Sequence, residues 1–217
     1  KYRPFLVREE KILIMALESE DQKQITESVI DILNSCILTK GIDITKLATF
    51  DIEYLFLNVR SKSVGETVEV NLTCPDDGTT QVVQSIDIDS IKIKKDRSHK
   101  NIVKLDDNLS LKLKYPSMDQ FIENNFEANT KSEVNNTLDM IISCIDAIFN
   151  EEESWPASES TRKELEDFVD QLNTKQFKLI EDFFATMPKL SHKIEVVNPN
   201  TGKKNTILLE GLAAFFN

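Results

Sequence analysis

The 217 residues hold only five glycines, three cysteines, two histidines and one tryptophan, and each scarcity closes off a class of protein. The glycines are scattered, so neither G-x-x-x-x-G-K nor G-x-G-x-x-G can be written and no phosphate-cradling loop follows. No G-x-S-x-G nucleophile elbow occurs either. His99 and His192 both lie among polar and lysine residues, where exposed imidazoles are expected, and a Cys/His nucleophile pair would need one of them to meet a thiol in space. Cys36, Cys74 and Cys144 are odd in number and far apart, which is no disulfide framework and points to a reducing compartment. Long apolar runs are missing too. The longest, Ile12 to Leu17, has six residues where a bilayer span needs about 20. Positive charge is also in deficit: 26 Lys and Arg against 37 Asp and Glu leave a net −11. That balance argues against a phosphate-backbone binder and against an anionic membrane surface. No nucleic acid, membrane, metal or cofactor is expected, and no enzymatic activity.

What remains is ordinary for a globular chain, 40% apolar and 29% charged, and long enough to bury a core. The start at Lys1 rather than Met leads us to expect residues before it. The first third reads as helical. Glu9 and Glu10 precede the Ile12–Leu17 run, where acids favour a helix N-terminus. Ile25, Val29, Ile32, Leu33 and Cys36 then mark an amphipathic helix ending near Gly41. A third helix carries FDIEYLFLNVR from Phe50. Taking Asp51 as zero, Asn58 falls near −20° while Glu53 and Arg60 fall near 200° and 180° at about 100° per residue. These ridges divide two apolar faces: Phe50, Tyr54 and Leu57 on one, Ile52, Leu55, Phe56 and Val59 on the other. A surface helix has one apolar stripe. Either the chain covers both faces, or it covers one and a partner covers the second.

From Gly65 the period becomes two. Val68, Val70 and Leu72 alternate with Thr67, Glu69 and Asn71, then Cys74-Pro75-Asp76-Asp77-Gly78 turns the chain. A return strand is expected through Ile86, Ile88, Ile91 and Ile93, and a second hairpin through Ile102–Leu105 and Leu109–Leu113. Helices resume at Ser117, capping Met118–Phe126. Val134, Leu138, Ile141, Ile142, Ile145, Ile148 and Phe149 predict one long helix. A polar loop follows over 151–160, with Glu151-Glu152-Glu153 read as solvated surface. Leu165–Leu172 and Phe177–Met187 predict two more helices, the second stopped by Pro188. Ile194–Val197 and Thr206–Leu209 predict a closing hairpin before the aromatic tail to Phe215-Phe216. The expected fold is α+β, predominantly helical, with an inserted antiparallel β-hairpin region and a small C-terminal hairpin. Its segments are a helical part at 1–64, a hairpin subdomain at 65–116, a second helical part at 117–190, and the hairpin and tail at 191–217.

Cys74 at a hairpin tip has the look of a zinc-ribbon knuckle. The positions where a second thiol would sit hold Asp76 and Asp77, and no second Cys pair exists, so the four ligands of a closed site cannot be assembled. An ordinary turn is the expectation.

Two blocks carry a resemblance. Tyr2-Arg3-Pro4-Phe5-Leu6-Val7-Arg8-Glu9-Glu10-Lys11 is one, followed by Ile32-Leu33-Asn34-Ser35-Cys36. Phe50-Asp51-Ile52-Glu53-Tyr54-Leu55-Phe56-Leu57 with Arg60-Ser61-Lys62-Ser63-Val64-Gly65-Glu66 is the other. Together they resemble the baseplate protein family of T-even-type contractile-tailed phages, whose members serve as baseplate hub subunits or hub assembly proteins. The likeness is strongest over 1–75, weakens through the hairpins, and returns at Lys114-Tyr115-Pro116 and from Leu209 to Phe216. In that family a second cysteine often follows the one matching Cys74; Asp77 stands there in this chain, a departure that removes any zinc site the relatives hold.

The resemblance implies a non-enzymatic tail protein of the virion baseplate, assembled in the host cytoplasm. Its implied partners are other baseplate hub, spike or tape-measure proteins, with self-association open. A tape-measure-associated chaperone absent from the mature virion is one alternative, and a hub-associated cell-wall hydrolase is another. The N-terminal helices and the Phe50–Gly65 block are the expected binding surface, with the hairpins orienting it. Phe5, Phe50, Tyr54, Phe56, Leu57, Arg60, Phe215 and Phe216 are its candidate contacts.

Overall fold

A computed structural model describes residues 1–65, 67–122 and 133–215. In chain order the helices and strands are α1 (Val7–Glu18), α2 (Gln22–Cys36), α3 (Thr49–Val64), β1 (Thr67–Thr73), β2 (Gln81–Asp87), β3 (Lys92–Lys94), β4 (Ile102–Lys104) and β5 (Ser110–Leu113). They continue as α4 (Met118–Ile122), α5 (Glu133–Ser143), β6 (Ile145–Phe149), β7 (Ser154–Pro156), α6 (Arg162–Asp170), α7 (Thr174–Thr186), β8 (Lys189–Val197) and β9 (Lys204–Glu210). The fold is α+β with antiparallel sheets; strand makes up about 26%, more than "predominantly helical" conveys. Two compact units form, one from Lys1–Lys94 with Pro188–Asn217 and one from Lys95–Met187.

In the first unit, β1 pairs with β2, and β8 lies between β3 and β9. Val68, Val70 and Leu72 point inward from β1 while their neighbours face out, the alternation that the pleat dictates. They join Leu57, Cys74, Ile86, Ile88, Ile91, Leu190, Val196, Leu209 and Phe215 in one core. Ile86 and Ile88 do not belong to one continuous strand with Ile91 and Ile93. A 3₁₀ turn at Ile88–Ser90 intervenes, with the Asp87 carboxylate accepting from the Asp89 N–H. The odd spacing from Ile88 to Ile91 requires such a break, because it would otherwise reverse the buried face. Helix α2 stops at Cys36 rather than near Gly41, and Ile37 forms a bridge with Tyr2.

In the second unit, the sheet order is β4-β5-β6-β7. Val103, Leu111, Ile148 and Trp155 form one row across it, and Ile102, Lys112, Ala147 and Pro156 form the next. The core lies on the side of Val103, Leu111 and Leu113, against Ile141, Ile142, Ile145, Leu165, Val169, Ile180 and Phe183. The helix expected to run from Val134 to Phe149 ends instead at Ser143, and Ile145–Phe149 is a strand between β5 and β7. The Ser143 hydroxyl donates to the Met140 carbonyl at that end. Ile145, Ile148 and Phe149 suit a strand as well as a helix, and pairing on both edges decides. Residues 154–156, expected as loop, form β7. Ser117 pairs with Gln120 as a helix start; the expected extension of that helix to Phe126 lies outside the described residues.

Candidate interaction surface

The two signature blocks meet inside the first unit. The Phe5 ring lies 5.5 Å from the Phe56 ring, and the Phe5 N–H donates to Ser63 Oγ at 2.5 Å. Ser63 in turn donates to the Val59 carbonyl at 2.7 Å, fixing the hydroxyl's direction. Arg3 N–H donates to the Cys36 carbonyl at 2.9 Å, tying the N-terminal segment to the end of α2. Glu9 organises the start of α1. It is 2% exposed, accepts from the Leu6 N–H at 2.7 Å, and pairs with Arg3 at 2.9 Å and Arg8 at 2.6 Å. Those donors, Arg3 foremost, lower its pKa to about 2 against the opposing effect of burial. The RPFLVREE block is therefore a brace that fixes where α1 leaves the core.

Helix α3 is covered on both sides by its own chain. Phe50 and Leu57 from one face are buried, and so are Ile52, Phe56 and Val59 from the other. Of the candidate contacts, Phe5, Phe50, Phe56, Leu57 and Phe215 lie in the core, each worth roughly 1.5–3 kcal/mol of burial. Tyr54 and Arg60 are half-buried. Burial pulls the Arg60 pKa down, and the charge of Glu10 opposes that. Phe216 lies outside the described residues.

An exposed apolar surface lies on α1, one of the N-terminal helices expected to form the binding surface, although none of the named candidate contacts sits on it. Leu6, Val7, Ile12, Ile14 and Met15 are all exposed, Val7 by 87% and Met15 by 60%. Setting Val7 at zero, Lys11, Ile14, Met15 and Glu18 fall between about −20° and 80°, while Ala16, Glu9 and Leu13 fall between about 180° and 240°. The second group is the buried one. Helix α1 is thus apolar inside and largely apolar outside. The signal was present in the sequence: six consecutive apolar residues on a helix cannot all face one side.

Among the described residues, the thiols and carboxylates with displaced pKa values are shifted away from catalytic use. Burial raises the pKa of all three thiols, Cys144 to about 11, the reverse of nucleophile activation. Among the described residues, each carboxylate with a displaced pKa (Glu9, Asp43, Asp76, Asp77 and Glu164) is displaced downward. A general acid needs the opposite shift. His99 is not the exposed imidazole expected. It packs against Tyr115 and Phe183 at 5.6 and 5.0 Å, with Nδ1 3.0 Å from Thr186 Oγ1, and burial holds it below the ordinary pKa.

The Cys74 turn is closed by hydrogen bonds. Asp77 Oδ1 accepts from the N–H groups of Thr79 and Thr80, and Asn198 Nδ2 donates to Asp76 and Asp77 at 2.9 Å each. Asn205 Nδ2 also donates to Asp76, and Asn200 Nδ2 donates to Thr80 Oγ1. The hairpin tip is thereby fastened to the β8–β9 turn. Among the described residues no three His, Cys, Asp or Glu side chains gather as metal ligands, and no helix is long and apolar enough to cross a membrane.

A braced helix with an exposed apolar face is a surface through which a protein can meet another protein. The chain belongs to the family of T4 bacteriophage base plate proteins, which matches it over residues 1–217. No curated individual protein and no solved structure matches it. Family membership implies a place in the phage tail baseplate, among other phage structural proteins.

Proposed function

We propose that the chain is a baseplate hub subunit or hub assembly factor that binds a hub, spike or tape-measure protein through the outward face of α1. The observation that carries this is the apolar strip Val7–Ile14–Met15, held on a helix whose other side is locked into the core through Glu9, Leu13 and Ala16. An exposed apolar patch of that kind marks a protein-binding surface. Tyr54 and Arg60, half-buried on α3, are the residues through which that helix would add to the contact. Assembly in the host cytoplasm fits the three free, buried cysteines.

Capture of the tagged chain from infected cells, followed by mass spectrometry, tests the reading. Hub, spike or tape-measure proteins are expected with the wild type and lost with Ile14→Lys plus Met15→Lys. Failure of the wild type to bring down any of them sinks it. Presence in purified mature virions distinguishes a resident subunit from a transient factor.

A further inference from the structure

In a chain of net charge −11, the outer side of the four-stranded sheet gathers cations. A cleft of about 560 Å³ is lined by Lys100, Lys112 and Lys114 together with His99, Ile102, Tyr115 and Asp146. A second cleft of about 560 Å³ shares Lys112, Lys114 and Asp146 and extends to Arg162. The first cleft is the trough, three lysines against one carboxylate, whereas the second is lined also by Ile142, Ser143 and Leu165 of α5 and α6. Asp146 is already paired with Lys112 at 2.7 Å, and Arg162 is paired with Asp139 and Glu166. Lys100 and Lys114 are exposed and form no ion pair among the described residues.

The counterpart lies on the same sheet. Glu151-Glu152-Glu153 is the longest acid run in the sequence. It forms the β6–β7 turn, exposed, with Asn150 Oδ1 accepting from the Glu152 and Glu153 N–H groups. Trp155 follows at 41% exposed, an aromatic of the type that anchors interfaces. The turn cannot reach its own trough. Asp146 sits near the start of β6 and Glu151 beyond its end, roughly 16–17 Å apart at 3.3 Å per residue.

We propose that the trough of one chain receives the Glu151–Glu153 turn and Trp155 of a second copy, so that chains associate head to tail. Acidic copies repel one another over most of their surface. A contact that brings this basic trough to an acidic element offsets that repulsion. Because donor and acceptor surfaces differ, the contact is heterologous and propagates into a ring or an open chain. The inference does not depend on the baseplate reading, since neither surface includes α1.

Sedimentation velocity in about 0.1 M salt, where the screening length is near 10 Å, tests it with a charge exchange. Wild type is expected to show species heavier than 24.8 kDa whose share grows from about 1 to 100 μM protein. Lys100→Glu with Lys114→Glu, and separately Glu151→Lys with Glu152→Lys, should each weaken association about tenfold or more, as losing two or three close charge pairs would. Mixing the two variants should restore it, because each then supplies the surface complementary to the other. All substituted side chains are exposed, and an unchanged thermal midpoint confirms that the variants fold. A monomer at every concentration overturns the proposal. So does loss of assembly in the lysine variant alone, which assigns the trough to a different acidic partner.

Discussion

Asn198 donates its amide to Asp76 and Asp77 at once, 2.9 Å to each, joining two hairpin tips more than a hundred residues apart in sequence. Its own Oδ1 accepts from the Asn200 and Thr201 N–H groups, and the residue is fully buried. Asn198→Ala leaves both carboxylates without this donor and two N–H groups without an acceptor. A loss of about 2–3 kcal/mol in urea-unfolding free energy is expected, with Asn198→Asp worse because it adds a third negative charge. An unchanged midpoint would show that the tips are held by something else.

Acid should unfasten the first unit. Glu9 titrates near 2 in the folded chain against an ordinary 4.5. As pH falls, the unfolded chain takes up the proton first, so stability is full above about 4.5 and is lost as pH falls toward 2. Asp76 and Asp77, both held below the ordinary range by hydrogen bonds, act in the same direction. Thermal midpoints of Glu9→Gln should be lower than wild type at neutral pH and flatter between pH 5 and 2. Parallel profiles would exclude Glu9 as a source of the acid sensitivity.

Phe5 and Phe56 should behave as one unit. Each single change to Ala is expected to cost about 3–5 kcal/mol. The double change should fall short of the sum by about 0.5–1.5 kcal/mol, the coupling of a tilted aromatic pair. Strict additivity would mean that the two blocks are not energetically joined at this contact.

Neighbouring positions on α1 should respond in opposite ways. Leu13→Ala opens the core and is expected to cost about 2–5 kcal/mol. Ile14→Lys and Met15→Lys change exposed positions to a good helix former and should stay within about 0.5 kcal/mol of wild type. Calorimetry of the three variants checks this. A destabilised Ile14→Lys or Met15→Lys would mean that the strip is covered.

Where one physical signal acts alone, the structure follows the sequence. Strand β1 alternates because one face is buried, and the opposed apolar faces of α3 appear as two packed sides. The angular count left open what covered the second face, and it is the chain's own core. Elsewhere two signals compete. The residues of β6 fit a helical stripe and a strand equally, and only pairing with β5 and β7 breaks the tie. His99 lies in a polar stretch, yet its neighbours in space come from residues 115, 183 and 186, which no local pattern reports. On α1 the Ile12–Leu17 run announces a two-sided helix but not which side is left exposed. Hydrophobic runs announce burial, and a helix apolar on both sides gives the same run whichever side is left open.

The first unit is discontinuous in sequence, and this has a consequence during synthesis. Strand β3 waits for β8, the Asp76–Asp77 turn waits for Asn198, and the core waits for Phe215. None of these exists until Lys95–Met187 has been made. At 5–20 residues per second, the ribosome needs roughly 5–20 seconds to translate that stretch. Through that interval Lys1–Lys94 carries an open core on the nascent chain, and a stop anywhere before Pro188 would leave it open for good.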